Sequence, residues 1–303
     1  MRFYGLLVVR DEADIIVQSV RYALTWADAI YVYDTGSTDG TWELLQEIAR
    51  EDGKLVLFKR EPVYFRNDLR AVLFEQYRKE AKDGDWFVTV DADEFYHISP
   101  PLFVRERLRP NETAVSYQLY DFKLTNQECR RLRTITAIEA ERRIPIEQKR
   151  RHYIPITYAE PRMFRYRPTM QWVPPKAPYN LGFMAQERIP IRHYPNRDPL
   201  QMEARYRLRS QMRTYVGLSA SPHWVSDWRE MLVDETDSGI GLEYWKPGMP
   251  LPVYHRTNHL ASPPKRIAQR VVHSMLLPVL DRMRPRYPAD FQPQLMQEGN
   301  SEQ

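Results

Sequence analysis

Three short acidic segments each follow an apolar stretch in the first hundred residues. They are Asp11-Glu12, the segment from Asp34 to Asp39, and the segment from Asp91 to Glu94. Asp91 and Asp93 are two residues apart, so in an extended chain both carboxylates would face the same side. Carboxylate oxygens suit Mg²⁺ and Mn²⁺, which commonly bridge phosphates. The pattern therefore predicts a divalent-metal site for a phosphorylated ligand, while each segment taken alone would also fit an ordinary acidic turn.

The elements that must position these segments alternate between strand and helix. Short apolar strands separated by amphipathic helices form right-handed βαβ units, which predicts an α/β fold with a mostly parallel sheet flanked by helices. Ligands of open parallel sheets bind beyond the carboxyl ends of the strands, where the acidic segments would meet. The predicted strands are Phe3–Val9, Ala29–Tyr33, Lys54–Phe58 and Trp86–Val90, and the predicted helices begin after Asp11, at Thr41 and after Asn67 or Asp68.

Beyond residue 100 the periodicity is weaker. Strands are predicted over Ala114–Phe122, Tyr153–Phe164 and Ile189–Arg192, and helices over Pro199–Gly217 and Lys265–Arg282. We expect one domain over residues 1–215. Residues 216–303 would form a mainly helical, Pro-rich extension packed on this core.

Charge is distributed unevenly along the chain. The net charge is −7 over residues 1–100 and +9 over residues 101–200. Of the 44 basic residues, 35 are arginine, whose planar guanidinium group can bind phosphate through two hydrogen bonds. The single cysteine, Cys129, excludes an intramolecular disulfide and a Cys-rich metal site. No apolar stretch approaches the roughly 18 residues of a membrane span, and the first apolar run is too short for a signal peptide. We expect a soluble, cytoplasmic enzyme, with peripheral membrane contact left open.

Four blocks of the sequence resemble family 2 glycosyltransferases in their order and spacing. The blocks are Val9 to Asp14, Asp34 to Thr41, Phe65 to Asn67, and Trp86 to Glu94. The resemblance is close over residues 1–100 and loose over 155–215. It implies a GT-A fold, a nucleotide-diphosphate sugar as donor, and Mn²⁺ or Mg²⁺ held by the Asp-x-Asp motif. The implied activity is metal-dependent transfer of a hexosyl group to a hydroxyl of a glycan, a lipid-linked or another acceptor.

The same resemblance implies roles for individual residues. Asp34 would contact the base, Asp91 the ribose or the metal, and Asp93 the metal directly, so that Asp91 and Asp93 form the catalytic pair. Three further residues match family positions near the nucleotide: Glu12, Arg66 and Asn67.

Later residues extend this predicted site. The block from Ile191 to Tyr194 resembles one in which a histidine completes the metal shell, so His193 is the predicted third ligand, with a packing role as the alternative. Arg205 and Arg209 are four residues apart and share a helix face that would reach a diphosphate, unless that face is simply solvated.

The catalytic base has no motif of its own. In many inverting relatives a His-Glu pair follows the strand that Pro161–Arg165 resembles, but the stretch from Gln171 to Lys176 contains no acid. Three acidic residues remain as candidates, Glu160, Glu187 and Asp234, of which Glu160 is the predicted base. The stereochemical outcome therefore stays open.

Two other functions fit parts of the pattern. A nucleotidyltransferase acting on sugar phosphates would usually carry a Gly- and Lys/Arg-rich loop after the first strand, whereas this chain has Arg10-Asp11-Glu12. A non-catalytic, Arg-rich polyanion binder built on residues 101–213 would need no metal and would bind with a steep salt dependence. The acidic first third of the chain disfavours a nucleic-acid partner.

Overall fold

The architecture is that of a computed structural model, which describes residues 1–66, 68–109, 111–174, 178–216, 227–237, 239, 241–253 and 263–296. The described strands form one curled sheet in the order β10-β7-β6-β8-β4-β1-β2-β3, with β9 beside β6 and β5 beside β9. The strands are β1 (Phe3–Val9), β2 (Ala29–Asp34), β3 (Leu55–Arg60), β4 (Trp86–Val90), β5 (Glu94–Tyr96), β6 (Ala114–Lys123), β7 (His152–Pro155), β8 (Pro161–Arg165), β9 (Ile189–His193) and β10 (Glu243–Tyr244).

Helices flank this sheet and lead into the later part of the chain. Short 3₁₀ turns cover Arg78–Glu80 and Trp228–Met231. The α-helices are α1 (Ile16–Leu24), α2 (Thr41–Glu51), α3 (Leu69–Tyr77), α4 (Pro100–Glu106), α5 (Asn126–Arg131), α6 (Ile135–Arg142), α7 (Ile146–Lys149), α8 (Pro199–Val216) and α9 (Pro263–Arg282).

The central strand β1 is buried along its whole length because both faces of the sheet are covered. Leu7 and Val9 belong to the cluster that α1 and α2 complete, while Leu6 and Val8 pack on the opposite side with residues of α3. This double coverage is the reason that β1 is a continuous apolar run rather than an alternating one.

The four strands predicted in the first hundred residues are confirmed, and they are mutually parallel. The later strands change the character of the sheet, because β8 pairs antiparallel with both β4 and β6. The predicted strand Tyr153–Phe164 is two strands, β7 and β8, and the predicted helix cap at Asp11 is wrong. Asp11 has a φ of +51°, and α1 begins only at Ile16.

The chain after residue 227 contacts the core at several places. β10 pairs with β7, Leu295 forms a bridge with Val63, and Asp281 of α9 accepts hydrogen bonds from Arg167. The domain boundary at residue 215 stays a prediction, and α8 continues to Val216. In the described parts of the chain, every helix is too short or too polar to cross a bilayer.

Candidate active site

Hydrogen bonds join the loops after β1 and β2 at the carboxyl edge of the parallel strands. The Asp11 carboxylate accepts a hydrogen bond from the Thr38 amide at 2.7 Å, and the Glu12 amide donates to the Thr41 hydroxyl at 2.8 Å. Asp39 accepts a hydrogen bond from the Thr41 amide at 3.0 Å, which stabilises the turn between β2 and α2. The sheet topology therefore brings the acidic segments together, as the strand order required.

Asp34, predicted to contact the nucleotide base, has a fully buried side chain at the end of β2. One oxygen accepts hydrogen bonds from the amides of Gly36 and Ser37, at 2.8 and 2.6 Å. The other carboxylate oxygen has no hydrogen-bond partner among the residues that the structure describes. Burial raises the pKa of Asp34 despite these bonds. Its contact with a base stays a prediction, which would use that second oxygen.

The two aspartates of the Asp-x-Asp motif do not share a face, because β4 ends at Val90 and a turn follows. The carbonyl of Asp91 accepts from the Glu94 amide at 3.1 Å, and this turn points the two carboxylates at different partners. Asp91 is held by Arg70 and, at 2.8 Å, by Arg162. Burial alone would raise the pKa of Asp91, but these two cations hold it below its usual value. Both oxygens of Asp91 are thus engaged, and its role as a metal ligand stays a prediction.

Asp93 instead faces His193, the predicted third metal ligand. Its carboxylate lies 3.4 Å from Nε2 of His193 and 3.0 Å from Nη1 of Arg205. Nδ1 of His193 lies 2.6 Å from the carboxylate of Asp121, a residue that the sequence did not single out. The row formed by Asp93, His193 and Asp121 follows from the register of the strands. In β9, His193 lies opposite Glu94 of β5 on one side and opposite Asp121 of β6 on the other.

The protonation of His193 follows from its two acidic neighbours. Burial would lower the pKa of His193, but Asp93 and Asp121 raise it to about 10. Burial likewise opposes ionisation of both aspartates. The His193 imidazolium and Arg205 nevertheless hold the pKa of Asp93 well below its usual value. His193 and Lys123 lower the pKa of Asp121 to about 2. Without a bound cation, His193 is therefore charged at neutral pH.

Asp93 and His193 suit a hard or borderline divalent cation. A carboxylate that fixes the far nitrogen of an imidazole, as Asp121 does here, is the usual support of a metal-bound histidine. Among the described residues, no three His, Cys, Asp or Glu side chains gather in an arrangement that could hold a metal. A cation would therefore need oxygens from the ligand or from water beside these two side chains.

A buried arginine, Arg197, joins the first acidic loop to this pair. It is only 2% exposed, and it contacts Asp14 at 2.6 Å, Glu12, and Asp93 at 4.0 Å. Burial raises the pKa of Glu12 to about 7, against the opposing effect of Arg197. Arg197 thus neutralises carboxylates from two loops, a role that its position before α8 in the sequence did not reveal.

The two predicted arginines of α8 do share a face. Arg205 donates to Asp93 and to the carbonyl of Pro195, while Arg209 is exposed beside it. The charge of Arg205 lowers the pKa of Arg209 to about 10. A cavity of about 460 Å³ opens between α8 and the loop after β1, a size that suits a small-molecule ligand. Its lining includes Arg10, Glu12, Asp14, Asp39, Arg142, Arg205 and Arg207.

The remaining predicted residues lie apart from this cluster or outside the described residues. Arg66 is exposed and pairs with Asp68 at 3.1 Å, and Asn67 lies outside the described residues. Glu160 is exposed immediately before β8. Among the described residues, no hydrogen bond or ion pair joins the Glu160 carboxylate to the cluster, so its role as base stays a prediction.

Comparison with known proteins identifies a family. The model of the family described as glycosyl transferase family 2 matches residues 6–185, more than half of the 303-residue chain. No curated protein matches. Among solved structures, a mannosyltransferase from Pyrobaculum calidifontis in complex with GDP-Man and Mn²⁺ is similar with 22% identity and a TM-score of 0.31. That match covers 38% of this chain and 35% of the other, and at this TM-score it supports no inference about residues or ligands.

Proposed function

Because the chain belongs to glycosyl transferase family 2, we propose that it is a metal-dependent hexosyltransferase that uses a nucleotide-diphosphate sugar. The observation that carries this proposal is the Asp121–His193–Asp93 chain beside Arg205, at the carboxyl edge of the parallel strands. It combines a supported pair of metal-ligating side chains with a cation suited to phosphate.

The residues of the cluster divide between donor binding and support of the site. Asp93 and His193 would hold Mn²⁺ or Mg²⁺, and Arg205 and Arg209 would bind the diphosphate. Asp34 and Asp91 would contact the nucleoside, and Glu12, Arg66 and Asn67 keep the nucleotide-binding roles that the family resemblance implies for them. The bound cation supplies neutralisation of the charge that develops on the departing nucleoside diphosphate. Arg197 keeps the acidic loops in place without touching the donor.

Two carboxylates compete for the role of the base that takes the proton of the acceptor hydroxyl. Glu160 is the base predicted from the sequence, although no family motif supports it, and its side chain is exposed to an incoming acceptor. Glu94 is buried against Arg162 at 2.6 Å, and burial raises its pKa to about 7, within the range useful to a general base. Kinetics of Glu160→Gln and Glu94→Gln distinguish them, because loss of the base lowers kcat while nucleotide affinity is kept.

The acceptor is a hydroxyl of a glycan or a lipid-linked molecule, and we place the protein in the cytoplasm. The rival polyanion-binding function is disfavoured, because many arginines of residues 101–213 are engaged within the protein. The ion pairs join Arg142 to Asp198, Arg150 to Glu141, Arg162 to Glu94, Arg192 to Glu147, and Arg197 to Asp14. The acidic loop after β1 disfavours a nucleotidyltransferase, and no observation favours one.

The proposal is tested with Asp93→Asn and a panel of UDP-, GDP-, CMP- and dTDP-sugars, with and without Mn²⁺. Wild type should bind one donor class more tightly with Mn²⁺ and turn it over, and Asp93→Asn should lose Mn²⁺ binding and nearly all turnover. Asp83→Asn, an exposed acid before β4, is the matched control and should behave as wild type. Full activity of Asp93→Asn with Mn²⁺ would refute the assignment.

A further inference from the structure

Among the described side chains of helix α9, Leu277 and Asp281 attach the helix to the core. Leu277 is buried, and Asp281 is fully buried at a polar anchor. The Asp281 carboxylate accepts hydrogen bonds from Arg167 at 3.1 Å, from Thr169 at 2.9 Å and from Asn180 at 2.9 Å. A buried and paired carboxylate of this kind fixes how the helix is rotated about its axis, and hence which side faces outward.

The described side chains on the outward side of α9 are mostly apolar. Ile267, Met275 and Val279 lie at multiples of four residues and are at least half exposed, and Met283 continues the row just past the helix end at 76% exposure. Leu276 and Leu280 widen the row, at 45% and 36% exposure. From Ile267 to Val279 the row runs about 18 Å along the axis. A contiguous apolar surface of this kind on a folded protein marks a contact with another surface.

The charged residues in this segment of the sequence are mostly of one sign. Residues 263–286 contain six Lys and Arg residues and a single acid, Asp281, whose charge is buried against Arg167. Arg282, Arg284 and Arg286 are exposed where the helix ends. Arg284 stacks on Tyr179 at 5.2 Å, so Arg282 and Arg286 are the two exposed cations to test. The outer surface of this segment is therefore apolar and cationic.

We propose that α9 lies in the headgroup region of an anionic lipid bilayer, with its apolar row inserted and its arginines on lipid phosphates. A helix with an apolar side and basic residues binds such a surface through burial of its apolar side chains and through attraction of its positive charges to anionic headgroups. A second copy of the chain is disfavoured as the occupant, because it would bring two sets of like charges against each other. The proposal concerns residues outside the candidate active site and does not rest on the proposed function.

The test measures co-sedimentation of the full chain with vesicles of phosphatidylcholine alone or with 30% phosphatidylglycerol. Binding should require phosphatidylglycerol and should weaken strongly in 0.5 M NaCl. The double variant Met275→Glu, Val279→Glu should lose binding at least tenfold, since both side chains are exposed and the added charges oppose insertion. Arg282→Gln with Arg286→Gln should weaken binding roughly 10- to 30-fold, at about 1 kcal/mol per charge.

The control variant is Ile135→Glu, which adds a single glutamate at an exposed apolar position of α6. It should bind vesicles as wild type does. Equal binding to both vesicle types, or wild-type binding by both double variants, would overturn the proposal. So would a dimer, seen by analytical ultracentrifugation without vesicles, that Met275→Glu, Val279→Glu dissociates, because self-association would then cover the row.

Discussion

Replacement of Asp121 by Asn tests the carboxylate contact that keeps His193 charged and oriented. Nδ1 of His193 lies 2.6 Å from the Asp121 carboxylate, and both side chains are largely buried. Asn keeps the shape and an acceptor oxygen, but it removes the negative charge. A hydrogen bond to a charged group contributes about 1.5–3 kcal/mol, against about 0.5–1.5 kcal/mol for a neutral one. The midpoints of these two ranges differ by roughly 1.25 kcal/mol, which is slightly less than the 1.36 kcal/mol of one pKa unit, so the pKa of His193 should fall by about one unit.

The sign of the accompanying stability change follows from the direction of the shift. The pKa of His193 is raised to about 10 in the folded protein, above its ordinary value of 6.5. Its contribution to the free energy of unfolding is therefore complete below about pH 6.5 and is lost as the pH rises through about 10. Asp121→Asn should be less stable than wild type at pH 6 to 7, and this difference should shrink toward pH 10.

The assay is an NMR titration of the imidazole nitrogens between pH 5.5 and 10, with a chelator present. His193→Gln identifies the signal among the seven histidines of the chain. Urea unfolding of wild type and Asp121→Asn at pH 6.5 and 9.5 gives the stability change. A wild-type His193 that is neutral at pH 8, or a pKa unchanged by Asp121→Asn, would refute the reasoning.

Two further variants test the buried arginine and the donor site. Arg197→Met leaves Glu12 and Asp14 buried without their cation, so the free energy of unfolding, measured in urea, should fall by about 3–5 kcal/mol. The control is Arg207→Met, whose side chain is 74% exposed and which should change the free energy of unfolding by less than about 0.5 kcal/mol. Asp34→Ala should weaken the binding of free nucleotide, measured by calorimetry, by roughly tenfold to a hundredfold with or without Mn²⁺, since a lost hydrogen bond of this kind costs about 1–3 kcal/mol. An unchanged dissociation constant in a folded variant would exclude Asp34 from the nucleotide site.

Local patterns in the sequence determined the framework of the site. An apolar run such as Phe3–Val9 depends on neighbouring residues only, and β1 forms over the predicted residues. The helix predicted after Asp11 also forms, as α1, although it begins only at Ile16. Because parallel strands end at one edge, the sequence also predicted that the acidic segments would meet there. The family resemblance rested on the same local blocks and is confirmed by the family match over residues 6–185.

Only the tertiary structure decided which carboxylate meets which partner. The period of a strand predicted that Asp91 and Asp93 would face one side, but a turn directs one to Arg162 and the other to His193. Asp121 reaches His193 through the register of β6 with β9, strands separated by some 70 residues of sequence. Ion-pair partners are set by such long-range pairing, and periodicity within one element carries no information about it. For the same reason, the sequence did not predict the ion pair between Asp281 and Arg167, which determines the side of α9 that faces outward.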